Sequence, residues 1–332
     1  MKNKVTLSSS STDLHGDTQT IEMLKQGVTD INGANKVRML INHRRDLPPI
    51  GYWNNAELEY HENLYLLKAE PIYYTKKEII DSSSNLIKES FVVPVSFIER
   101  PISESQSVII TFDKNNFHSW EVIDSISKKL SAESDEPIEI RFDTRKEFIP
   151  DPRLVITLTT YYTVIYPFLK PFLKKLGEKI AEDIGDDIYQ YSKKKIKSFA
   201  KDLKRYISIV RLNSNPKSKK LITIFEIPGD PYVELHAHSD DADLIVNAIT
   251  TKKILKIHER IEELNHLVKI KEVHFKLNEK GNWKFTYLIA QDGSIIGTKD
   301  IMDKREYWQE RINLSPTKGF SMGADVKYIK KK

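Results

Sequence analysis

The chain has 332 residues and no cysteine, and its 52 basic residues outnumber 47 acidic ones for a net charge of +5. That length allows two or three domains, and 39% apolar with 30% charged residues excludes a disordered chain. Without cysteine there are no disulfides, no thiol nucleophile and no cysteine-ligated zinc, and with no apolar core after the basic N-terminus the expected location is cytoplasmic.

In chain order, Val5–Ser11 reads as a short strand and Asp13-Leu-His-Gly-Asp17 as a tight loop turning at Gly16. Thr20–Gly27 has helical spacing. Lys36–Asn42, Gly51–Tyr60 and Leu64–Tyr74 read as strands, the last two joined as a hairpin by His61-Glu62-Asn63. Thr75–Leu86, with its serine run, is expected to be a short helix or loop. Phe91–Glu99 reads as a strand, placed at an edge or bulge by Pro94.

Ser107–Asp113, Ser119–Leu130 and Pro137–Phe142 follow as strand, amphipathic helix and strand, the pattern of a βαβ crossover. Leu154–Leu169 is almost wholly apolar and is expected to open a helical middle kinked by Pro167 and Pro171. From Leu169 the apolar residues step by three or four through Leu173, Leu176, Ile180, Ile184, Ile188 and Tyr191, an amphipathic helix extending toward Leu203. Val155–Leu169 carries no charge but is shorter than the ~20 residues of a spanning helix.

After the polar linker, Leu221–Ile227 and Tyr232–Ala237 read as strands. Ser239 or Asp240 then caps a helix bearing Ala242, Leu244, Ile245 and Ala248. Helix continues to about Leu267, and Val273–Leu277 pairs with Trp283–Ala290 across Asn278–Asn282. Asp292-Gly293 makes a further turn, and the tail from Asn313 reads as loosely ordered. The expected class is α+β. Residues 1–100 form a small β-rich, barrel-like domain, and 101–212 a βαβ unit with long amphipathic helices. A linker covers 213–219, and 220–332 form a second α+β domain.

One stretch concentrates candidate chemistry. Met39-Leu-Ile-Asn-His43 runs into Pro48-Pro-Ile-Gly51, placing a histidine at a strand end beside a turn, a position that suits a general base and equally suits an inert polar residue. Asp13-Leu-His-Gly-Asp17, Asn42-His43, Pro49-Ile-Gly51 and Leu64-Tyr-Leu-Leu67 occur in the order seen in the phage prohead (capsid-maturation) serine proteases, which residues 1–100 resemble. The resemblance implies His43 as base and Ser96, in Val93-Pro-Val-Ser-Phe-Ile98, as nucleophile. The glycine that the family carries beside its nucleophile is absent here. A serine hydroxyl needs such a base, and a third group must orient the imidazole. Asp46, Glu99, Glu139 and His118 all remain open for that role.

His236-Ala-His-Ser-Asp240-Asp241 has the H-x-H-x-D spacing of zinc hydrolases of the metallo-β-lactamase type, which usually carry a further histidine where Asp241 stands. A strand end followed by a helix cap explains the same residues, and no metal or other cofactor is expected. The order of elements beyond residue 100 is similar to effector-associated modules of bacterial conflict systems, which act as adaptors. The leading expectation is a serine endopeptidase of phage-related origin, cleaving itself or a partner protein. The alternatives are a non-catalytic adaptor or sensor in bacterial phage defence, and a membrane-active effector whose residues 154–203 meet an anionic surface. Expected partners are proteins, including further copies of the chain, and not specific nucleic acid.

Overall fold

The computed structural model describes residues 4–12, 18–81, 85–98, 108–113, 117, 119–133, 138–143, 153–159, 201–214, 220–227 and 229–313. They form an α+β fold with two sheets.

The smaller sheet is antiparallel. It contains β1 (Val5–Ser9), β2 (Arg38–Met39), β3 (Gly51–His61) and β4 (Leu64–Tyr73) in the order β1-β4-β3-β2. It is open at both ends, where a barrel-like closure was expected, because β1 and β2 pair only with β4 and β3 among the described residues. The expected hairpin is present: Glu62 (φ 47°) and Asn63 (φ 66°) turn the chain between His61 and Leu64. Two consecutive positive φ values match the right-handed twist of paired strands. α1 (Ile21–Asn32) packs on this sheet. Thr20 caps it, its Oγ1 accepting from Met23 N at 3.3 Å. Leu24 and Ile31 are buried with Trp53, Leu67 and Ala69, and each large apolar side chain removed from water contributes roughly 1.5–3 kcal/mol.

The expected strand over Lys36–Asn42 is only Arg38–Met39, since a 3-10 turn at Ile41–His43 replaces its end. Asn42 (φ 48°) and His43 (φ 55°) both lie in the left-handed region, which breaks any ladder. Gly51 (φ 156°) restores the strand direction, and a Cβ there would sit 1.9 Å from Ile72 O.

The larger sheet has ten strands. It adds β5 (Lys76–Asp81), β6 (Leu86–Ser90), β7 (Val108–Asp113), β8 (Ile138–Asp143), β9 (Arg153–Thr159) and β10 (Lys220–Ile227). β11 (Tyr232–His238), β12 (Ile270–Leu277), β13 (Trp283–Ala290) and β14 (Ile295–Thr298) complete it. The order is β5-β6-β14-β13-β12-β11-β10-β9-β7-β8, so strands from each of the three expected units pair into one sheet. β7 and β8 are parallel and joined through α2 (Trp120–Glu133), the βαβ crossover expected for this stretch.

Three local expectations are corrected. Thr75–Leu86 holds β5 and the start of β6, because Lys76–Asp81 and Leu86–Ser90 pair antiparallel. Phe91–Glu99 is not a strand over its described part. Pro94 supplies no N–H, and the segment is held by single bonds: Val95 N to Asp292 O, Lys36 N to Ser96 O and Ile98 N to Lys36 O. Arg153–Thr159 is a strand, not the opening of a helix. A short apolar run with Val155, Ile156 and two threonines is ambiguous by periodicity, and parallel pairing with β10 decides it. The expected helix between 160 and 200 lies outside the described residues, and 201–213 are helical (α3). No helix among the described residues is long and apolar enough to cross a membrane.

α4 (Ala242–Ala248) and α5 (Thr251–Asn265) connect β11 to its parallel neighbour β12. The cap of α4 is Asp241, not Ser239 or Asp240, its Oδ1 accepting from Asp243 N at 2.9 Å and Leu244 N at 3.1 Å. Ser239 Oγ instead accepts from Asp241 N. A final helix, α6 (Lys299–Asn313), has no counterpart in the sequence reading. The main core lies on one face of the large sheet, where Phe225, Val233, Leu235, Val273, Phe275 and Leu288 pack with Tyr206, Ile245 and Ile257.

Candidate functional site

Side chains alternate faces along a strand. Val233, Leu235 and Ala237 enter the core, so Glu234, His236 and His238 face the other way. On β12, Val273 and Phe275 enter it while Glu272 and His274 do not. Parallel pairing sets Glu234 beside His274. This second face is nonetheless sealed: Glu234 and His274 are 0% exposed and His236 and Glu272 are 2% exposed.

The seal is the loop 41–50. Its Arg45 guanidinium enters the polar face and binds the carboxylates of Glu226 and Glu234, reaching Tyr232 Oη at 3.5 Å. Arg38 grips Glu272 through two nitrogens, at 2.8 and 2.6 Å. Tyr287 Oη donates to Arg45 O at 2.8 Å, and its ring stacks on His274 at 4.0 Å. Neighbouring contacts pin the rest of the loop. Arg44 donates twice to Asp46 and lies 4.6 Å over the Trp308 ring of α6. Arg305 donates from Nη1 to Pro49 O and from Nη2 to both carboxylate oxygens of Glu89.

The inner contacts are short. His274 Nε2 lies 2.7 Å from Glu272 Oε1. His274 Nδ1 lies 3.2 Å from His236 Nε2 and 3.5 Å from Glu234 Oε2, and His236 Nε2 lies 3.1 Å from the same oxygen. Burial pushes the Glu234 carboxyl upward, but Arg45, then His274 and His236, outweigh it and hold it ionised. Glu272 follows the same pattern, held below the usual carboxylate range by Arg38 and His274 against its burial. Burial lowers His274 against the pull of both glutamates. His238 is lowered to about 3 by burial, with Asp46 opposing from 3.7 Å. Beside His238 an open groove of about 820 Å³ is lined by Lys276, Lys280 and Lys284.

The residues singled out from sequence fall on several segments of the chain. His43 is half-buried in the left-handed turn that precedes Arg44. Ser96 is exposed, and its Oγ makes no hydrogen bond among the described residues; its backbone carbonyl accepts from Lys36 N. Asp46 is engaged by Arg44. Glu139 belongs to β8, at the opposite edge of the large sheet from β5. Glu99 and His118 lie outside the described residues. His236 and His238 do share one face of β11, but His236 turns to His274 and His238 toward Asp46. The sequence reading missed Glu234, Glu272, His274, Arg38 and Arg45. A usable signal was present: Glu234-Leu-His236 and Glu272-Val-His274 repeat one E-x-H pattern on two strands. Comparison with protein-family models, curated proteins and solved structures finds no match.

Proposed function

We propose that the chain is a non-catalytic adaptor or sensor that binds a partner protein in the cytoplasm, of the kind used in bacterial phage defence. The observation that carries this reading is the sealing of the Glu–His–Arg cluster by loop 41–50. A substrate cannot reach groups that are 0–2% exposed, whereas a loop anchored there couples the N-terminal sheet to the ten-stranded one. Apolar side chains are also exposed. Val92 (72%) and Val93 (67%) stand in solvent beside the Tyr74–Phe91 stack, a surface suited to a protein contact.

The second reading is a serine endopeptidase like the prohead proteases, with His43 as base and Ser96 as nucleophile. It is favoured by the two successive left-handed residues Asn42 and His43, since strained backbone gathers at functional positions. One experiment separates the two. Purified wild type, His43→Ala and Ser96→Ala are followed by intact mass over time, with fluorophosphonate labelling of each. The adaptor reading expects no adduct and no cleavage. A Ser96 adduct that requires His43 would overturn it in favour of the peptidase.

A further inference from the structure

We infer that Glu234, His236 and His274 form a binding site for one divalent metal ion of the zinc class, an inference that does not depend on the adaptor reading. Glu234 Oε2, His236 Nε2 and His274 Nδ1 form a triangle with sides of 3.1, 3.2 and 3.5 Å. Zinc holds nitrogen and oxygen ligands at ~2.0–2.1 Å, which sets tetrahedral neighbours about 3.3 Å apart. The three atoms therefore have the spacing of one tetrahedral face, and the fourth position would be filled by a water enclosed with the ion. The two imidazoles meet through their nitrogen edges: the centroids are 5.4 Å apart while the facing nitrogens are 3.2 Å apart.

The surroundings prepare these atoms for a cation. Glu272 accepts the proton of His274 Nε2, so Nδ1 presents its lone pair to the centre. A carboxylate behind a ligating histidine is the usual orienting partner in zinc sites. Arg45 takes the other oxygen of Glu234, and Arg38 holds Glu272. Across the cluster the carboxylates of Glu226, Glu234 and Glu272 face the guanidinium groups of Arg38 and Arg45. A proton on His236 Nε2, shared with His274 and Glu234, is the rival occupant. Burial makes the ion a structural one, taken up with folding or when loop 41–50 lifts.

The test uses the full chain. Wild-type protein is stripped with a chelator and titrated with Zn²⁺ against a chromophoric indicator, then loaded with Co²⁺. One ion per chain is expected, with a raised thermal midpoint and the intense visible bands of four-coordinate cobalt. His236→Gln and His274→Gln should each lose affinity about 100-fold or more, and Glu272→Gln about 10–100-fold. Stripped wild type that stays folded and takes up no stoichiometric zinc overturns the site and leaves the proton. So does undiminished affinity in either histidine variant. Where those variants fail to fold, X-ray absorption at the zinc edge of loaded wild type decides. Two imidazole nitrogens with carboxylate oxygen are expected, and any other ligand set overturns the assignment.

Discussion

Arg45 is the residue on which the buried face depends. It is the cation shared by Glu226, which is partly buried, and Glu234, which is fully taken out of water. Removing one member of a buried ion cluster strands the others, at a cost of about 3–5 kcal/mol. Arg45→Met should lower the unfolding free energy by that amount in a denaturant titration; a loss below 1 kcal/mol would mean that the glutamates find other partners. Gly51 is demanding for a steric reason. Its φ of 156° and the approach of Ile72 O leave no room for a Cβ, so Gly51→Ala should cost at least about 1–3 kcal/mol by thermal unfolding. Tyr74 sets a limit at alkaline pH. Burial pushes its phenol far above the usual range, and Tyr232 and Tyr287 are raised as well. The unfolded phenols ionise near pH ~10 while the folded ones stay protonated. The contribution is complete below that pH, and stability falls as pH rises beyond it. Tyr74→Phe should flatten that decline by about a third of what the three phenols give, read from unfolding curves between pH 9 and 11.

At the scale of elements, α1 and α6 show two ways in which a helix is specified. α1 is local: Thr20 caps it and Leu24 and Ile31 supply its apolar face, so periodicity and cap chemistry both point to it. Thr20→Ala should cost about 1 kcal/mol, measured by denaturation, with little change elsewhere. α6 is rich in charge, and its hold on the fold comes from Arg305, Met302 and Trp308, which meet Glu89, a buried cluster with Leu47, Phe97 and Ile295, and Arg44. A weakly amphipathic, charged stretch gives little signal until its partners are in place. Arg153–Thr159 failed for the converse reason: its apolar run suits strand and helix alike, and only its neighbours β10 and β7 settle the choice.

Across the whole molecule the decisive pairing is β6 with β14, which joins Leu86–Glu89 to Ile295–Thr298. A chain starting at residue 101 would expose the β14 edge and leave Glu226, Glu234 and Glu272 without Arg38 and Arg45. Residues 101–332 expressed alone should therefore aggregate or fail to fold, and co-expression of 1–100 should restore a soluble complex on size exclusion. A stable, monomeric 101–332 would refute that dependence. The sequence by itself determined what short-range chemistry determines. It specified the α+β class, the β3–β4 and β12–β13 hairpins, the β7–α2–β8 crossover and the start of α1, because turns, caps and periodicity act over a few residues. Tertiary structure alone decided which strands are neighbours and which polar face is covered. Glu234, His236 and His274 are polar positions that alternate with apolar ones on two strands. They became a buried centre only because a loop nearly two hundred residues away places Arg45 against them, and ion pairing over that separation leaves no local pattern to read.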